Sequence, residues 1–220
     1  GVEPGVRRPH NVPLTLTGAA LLWFGWFGFN AGAEWLNGMA NTGLIILNTL
    51  GAAATGILGW LVVEKIRSGK PTAVGAASGA VSGLVAITPA CANLTPAWAL
   101  LLGAVTGVVC AIAVDWKFRL GYDDSLDVVG IHLVGGMIGT LYLGFFASET
   151  GLFVGGDARQ LAVQVIAVLA VMLYSFVAAW VIGLVIQKTI GFRIKSEDEL
   201  AGIDTVVHGE QAYALAEAGR

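Results

Sequence analysis

His132 stands in the run Val128-Val-Gly-Ile-His-Leu-Val-Gly-Gly136, surrounded by apolar and glycine residues. Neutral imidazole donates one hydrogen bond and accepts another, so it can line a path for a small polar molecule without a fixed charge. The alternative is a structural histidine bonded to a neighbouring helix. An ionisable group deep in an apolar segment is costly, which weighs toward function. Asp127 lies five residues earlier, about 140° away round a helix axis, so the two do not share a face. With Asp123, Asp124 and Ser125 it reads as a helix start, where carboxylates accept from free N–H groups and meet the positive dipole end.

A second group is aromatic: Trp23, Phe24, Trp26, Phe27 and Phe29, followed by Asn30, Gly32, Glu34 and Trp35. Trp26 and Phe29 are three residues apart and share a helix face. Their π faces could hold a cation, or they could simply meet lipid or the core. Glu34 reads as a solvated helix end. His208 has no second ligand nearby. Cys91 falls in a turn and Cys110 well inside the next apolar run, too far apart in depth for a disulfide. No zinc spacing, nucleophile elbow or phosphate loop occurs in the sequence. No enzyme chemistry and no cofactor are expected.

These residues sit in a chain of 220 residues that is 56% apolar and only 12% charged. Its mean hydropathy is +0.76. Soluble domains carry about 25% charge, and disorder needs low hydrophobicity. An ordinary soluble enzyme and a disordered chain are both excluded. The net charge of −3 gives no basic field for nucleic acid. The composition predicts an all-α, polytopic membrane protein embedded in the lipid bilayer.

Runs without Lys, Arg, Asp or Glu define its helices: 11–33, 35–63, 72–114, 128–148 and 160–187. The third is too long for one crossing of a ~30 Å hydrocarbon layer. The polar turn from Pro89 to Pro96 divides it. Six transmembrane helices are therefore predicted, over roughly 14–34, 39–64, 72–91, 95–115, 125–147 and 160–187. Residues 1–190 form the membrane domain and 191–220 a tail. Of the twelve Lys and Arg residues, only Arg159 falls on one side; the other eleven lie on the side that carries both chain ends. The positive-inside rule makes that side cytoplasmic. Small residues at Gly51/Thr55/Gly59, Gly75/Gly79/Gly83, Gly103/Gly107 and Gly135/Gly139 predict close helix contacts. The opening stretch Gly1–Pro13, with three prolines and two arginines, is unlike a signal peptide. It reads as a loop between helices, so the chain is expected to be the later part of a longer protein.

Several runs add a resemblance. Pro9-His-Asn-Val-Pro13, Gly25-Trp-Phe-Gly-Phe-Asn-Ala-Gly32, the stretch from Gly69 to Pro89, Asp123-Asp-Ser-Leu-Asp-Val-Val-Gly-Ile-His132 and His208-Gly-Glu-Gln-Ala-Tyr213 resemble signatures of the ammonium transporter (Amt/Rh) family, microbial branch. The resemblance runs end to end. It implies an eleven-helix fold of two inverted repeats plus a final helix, of which these six helices resemble the second repeat and the last helix. It implies ammonium or ammonia transport across the plasma membrane, by a homotrimer with one pore per subunit. His132 resembles the second of twin pore histidines, and Phe29 one of two stacked phenylalanines at the outer mouth. The partners of both belong to the family's first half. Trp26 resembles the tryptophan beside the histidines, and Asp127 a structural acid at the inner start of the histidine helix. The tail, with Gly191, Arg193, Glu210 and Tyr213, resembles a segment that couples subunits and helps receive a PII-type regulator. Ala33 departs from the pattern: many relatives have a serine there that bonds ammonium. The alternatives are an ammonium sensor on the same fold, or a half-transporter inactive without an N-terminal partner.

Overall fold

The computed structural model describes residues 9–211. Helix α1 (Val12–Ala33) starts at Asn11, whose side-chain oxygen accepts from the Leu14 amide at 3.0 Å. Pro13 lies in its first turn, where a missing N–H costs nothing. A 3₁₀ turn, Glu34–Asn37, closes it and leaves through Gly38 at a φ of 76°. α2 (Thr42–Ser68) ends at Gly69, φ 77°. α3 (Ala73–Ile87) is capped by the Thr72 hydroxyl, which accepts from the Gly75 amide. α4 (Pro96–Ala113) runs on into the short α5 (Trp116–Leu120). A π-helical turn, Val129–Leu133, opens α6 (Val134–Phe146). α7 (Ala158–Thr189), α8 (Ser196–Ala201) and a second π-helical turn, Asp204–His208, complete the order. No strand occurs among the described residues.

The segments Val12–Asn37, Thr42–Ser68, Pro96–Leu120, Val129–Phe146 and Ala158–Thr189 are long and apolar enough to cross a membrane. α3 is not. Where the sequence suggested a span over 72–91, the helix has 15 residues, a rise of about 22 Å. Pro89 has no N–H to extend the helix, and the Thr88 hydroxyl donates back to the Leu84 carbonyl at 2.7 Å. The residues that follow fold as tight turns, in which Ala90, Cys91 and Leu94 are buried.

The described chain divides into two units. In the first, up to Leu169, α3 packs on α1, α2, α4 and α6, and α2 also packs on α4. These contacts run backbone to backbone. A Cβ at Gly83 would strike the Ala52 carbonyl, one at Gly107 the Gly56 carbonyl, and one at Gly139 the Ala86 carbonyl. Gly56, absent from the stripe expected on α2, faces both neighbours, as Ala52 one turn earlier does. Gly51 of that stripe meets only the side chain of Leu100. Two clusters of buried side chains fill the rest, one around Ile45, Ile87, Leu94 and Leu102, the other around Trp60, Val85, Cys110 and Ile131. Cys91 and Cys110 are free and buried.

The second unit begins at Ala170 and holds the remainder of α7, α8 and the second π-helical turn. α7 gives way at Gly191, φ 82°, whose amide donates to the Ile186 carbonyl at 3.0 Å.

A Cβ at Gly56 would lie 2.5 Å from the Gly79 carbonyl oxygen, whereas Gly18 has open space around it. Gly56→Ala should therefore lower thermal stability in detergent by roughly 1–3 kcal/mol, the usual range for overpacking. Gly18→Ala, also in a helix, should not lower it. Equal melting temperatures for the two variants would refute the close approach.

Candidate functional site

α1 presents two faces. Toward the interior, the Trp26 indole Nε1 donates to the Thr88 hydroxyl at 2.7 Å. The same hydroxyl donates to Leu84, so Trp26 is tied to the end of α3. Asn30 is buried, and its amide donates to the Thr49 hydroxyl at 3.0 Å. Among the described residues its Oδ1 has no partner. Toward the other face, Phe29 is 64% exposed and Ala33, one turn on, is exposed as well. The Trp26 and Phe29 rings lie 5.9 Å apart, tilted by 57°, a separation at which aromatic pairs attract.

Glu34 corrects an expectation. It is not a solvated helix end but only 4% exposed. Its carboxylate accepts from the Asn41 amide at 2.6 Å and the Thr42 hydroxyl at 3.2 Å, which satisfies the start of α2. A buried carboxylate needs such donors because it has left water.

His132 occupies the π-helical turn, on an exposed position next to the buried Gly130 and Ile131. Such turns are rare and often mark functional sites. The helix start is built differently from the sequence reading. Asp124, not Asp127, caps it: its two carboxylate oxygens accept from the Val128 and Val129 amides at 2.8 and 2.9 Å. The Asp127 side chain pairs with Lys117 at 2.5 Å, and its backbone takes a left-handed φ of 58°.

The structure thus brings the Trp26 and Phe29 rings together, with Ala33 one turn beyond Phe29. Among the described residues, no hydrogen bond or ring contact joins His132 to them. In the second unit, Arg193 donates to both oxygens of Glu199 at 2.9 and 2.8 Å, next to Gly191. The Glu210 amide donates to the Asp204 carbonyl at 3.2 Å. Tyr213 lies outside the described residues. Among those described, no group of three His, Cys, Asp or Glu side chains could hold a metal.

The sequence reading missed Thr88, Lys117 and Asn48. Asn48 is 1% exposed, and its amide donates to the Cys91 and Leu94 carbonyls at 2.9 and 2.8 Å, fastening the α3–α4 turn to α2. The available signal was a lone polar amide inside an apolar helix.

Several apolar helices of membrane-spanning length, packed through glycines, define a multi-pass helical membrane protein. The sequence profile of the Ammonium Transporter Family matches residues 2–213, and the chain belongs to that family. It is 48% identical over 222 residues to an ammonium transporter of Mycobacterium tuberculosis (strain H37Rv), covering 95% of this chain and 46% of that protein. It is 44% identical to one of Bacillus subtilis (strain 168), covering 93% and 52%. Among solved structures, Candida albicans Mep2 matches with a TM-score of 0.80 at 32% identity, over 89% of this chain and 46% of its own. A structure described as a sensor Amt protein matches with a TM-score of 0.80 at 33% identity, over 96% and 50%. The chain spans about half the length of the curated relatives it matches.

Thr88→Val keeps the shape at the end of α3 but removes the acceptor for Trp26. Leaving that indole N–H unpaired should cost roughly 1–3 kcal/mol, while Thr88→Ser should cost less. Thermal unfolding followed by tryptophan fluorescence would show it. Equal stability of the two variants would mean that the bond does not hold Trp26.

Proposed function

We propose that this chain forms the C-terminal part of an ammonium transporter, with Trp26, Phe29 and His132 along the substrate path. The observation that carries the reading is His132 itself: a neutral hydrogen-bonding group at an exposed position within a membrane-length apolar segment. Membership of the family and the exposed pair of aromatic faces on α1 support it. The path lies in the plasma membrane, within a homotrimer, and the tail from Gly191 faces the cytoplasm, where a PII-type regulator can reach it.

Ammonium is attracted to the aromatic faces at the outer end, as cations are to π systems. It gives up a proton there to water at the outer end, and ammonia passes along the imidazole, which can accept from it and donate to it. The proton travels separately or over the same residues. Potassium has a comparable charge and size but no proton to release, so a neutral, largely apolar path rejects it. A sensor role on the same fold is the second reading, favoured by the likeness to the sensor Amt protein.

His132→Ala in the complete polypeptide, reconstituted in vesicles, should reduce ammonium flux roughly tenfold, equivalent to the loss of one hydrogen bond of about 1.4 kcal/mol. Trimers should persist. Unchanged flux and unchanged selectivity over potassium would remove His132 from the path. Removing residues 197–220 should weaken either capture of a PII-type protein or coupling between subunits. If neither changes, the tail assignment is wrong.

A further inference from the structure

The turn that carries His132 is anchored from one side by a single lysine. A π-helical turn places its side chains at angles that a regular helix would not, and it survives only where its surroundings fix it. Three restraints meet at this turn. Gly130 lies against Val114, where a Cβ would come within 2.7 Å of the valine side chain and 2.8 Å of its Cα. Asp124 takes the first two amides of the helix. Asp127 accepts from the Ile131 amide through its backbone carbonyl at 2.8 Å, which sets where the turn begins.

Two of these restraints depend on the loop 121–127 keeping its shape, and that shape is strained. Asp127 holds a φ of 58°, a region that non-glycine residues enter at a cost of roughly 1–3 kcal/mol. Lys117 is the cation that meets this loop. Its Nζ donates to the Asp124 carbonyl at 3.0 Å and to the Asp127 carboxylate at 2.5 Å. Its side chain is only 16% exposed, and it lies 5.3 Å from the Phe118 ring centroid. α5, which carries Lys117, is itself fastened: Asp115, just before it, pairs with Arg67 of α2 at 2.6 Å.

We infer that Lys117 is a positioning residue for His132: by holding the Asp124 carbonyl and the Asp127 carboxylate, it fixes the left-handed residue from which the π-helical turn departs, and so the direction of the imidazole. The inference rests on the reading of His132 as a path residue and adds what aims it. Lys117 touches no substrate. It acts through Asp127 and the turn, and the link from Arg67 through Asp115 to Lys117 ties that aim to the end of α2.

The test uses the complete polypeptide in vesicles and compares Lys117→Met, Lys117→Arg, Asp127→Asn and His132→Ala. Two quantities are read: the ratio of ammonium to potassium flux, and amide hydrogen exchange over residues 128–134. Lys117→Met should lower the flux ratio by roughly threefold to tenfold, a common size for variants along a coupled network, and should speed exchange in the turn. Lys117→Arg, which keeps the charge, should restore the ratio. Asp127→Asn tolerates the left-handed backbone but loses the charge, so it should follow Lys117→Met. If Lys117→Met does not accumulate, Asp127→Asn decides the matter alone. A wild-type ratio in Asp127→Asn or Lys117→Met, alongside a lowered ratio in His132→Ala, overturns the positioning role and leaves the transport reading intact. Wild-type behaviour of His132→Ala removes His132 from the path and, with it, overturns the flux part of this inference. Unchanged exchange in the turn overturns the anchoring itself, whatever His132 does.

Discussion

The close approach of α2, α3 and α4 through glycine is the constraint on which the first unit depends. Between helices in lipid there is little hydrophobic drive, because acyl chains are as apolar as leucine. Contact must then come from dispersion at short range. The absence of side chains at Gly56, Gly79, Gly83 and Gly107 permits it. α3 profits most. It is short, yet it touches α1, α2, α4 and α6. Trp26 hangs from the threonine at its end, and α6 lies on it where Gly139 meets Ala86. Both sets of candidate path residues are thus referenced to one small helix.

Buried polar groups supply the second level of definition. An unpaired polar group inside an apolar medium is expensive, so each paired one fixes a geometry. Asn48 fastens the α3–α4 turn. Glu34 closes the entry to α2. Glu64 does the same for α3, accepting from the Thr72 amide at 2.7 Å, the Thr72 hydroxyl at 3.0 Å and the Trp60 indole at 3.3 Å. A Cβ at Gly75 would fall on the Glu64 carboxylate, which would then have to shift from these donors. Each acts only at hydrogen-bond distance, yet it joins residues apart in the chain, by 7 positions at Glu34 and Asn41 and by 43 at Asn48 and Cys91.

That explains how far the sequence could be read. Length and hydropathy depend on residues in register along one helix, so the all-α class and the apolar segments were legible from charge-free runs alone. The family was legible because its runs are long and colinear. Glu34 was misread because its burial depends on Asn41 and Thr42 folding back over it, which no window of hydropathy contains. The helix start was assigned to Asp127 together with Asp123, Asp124 and Ser125; Asp124 makes the cap, while the left-handed Asp127 turns its carboxylate to Lys117. The π-helical turn left no periodic signal, as five residues are too few to shift an apolar pattern.

Ala33 bears on where discrimination resides in the proposed transport role. It shares the exposed face of α1 with Phe29, and it has no hydroxyl. Asn30, three residues before Ala33, is buried, with its amide bound to Thr49 of α2 and its Oδ1 unpaired among the described residues. It cannot stand in for a serine at that face. What α1 offers a cation there is the π faces, worth roughly 0.5–1 kcal/mol at an exposed site. A π face attracts potassium and ammonium alike, because it answers to charge and not to hydrogen-bond donors. The α1 face can then concentrate cations but does little to sort them. Sorting must fall to a group that distinguishes a molecule able to donate and lose a proton from one that cannot, and among the path residues of this chain His132 has that chemistry.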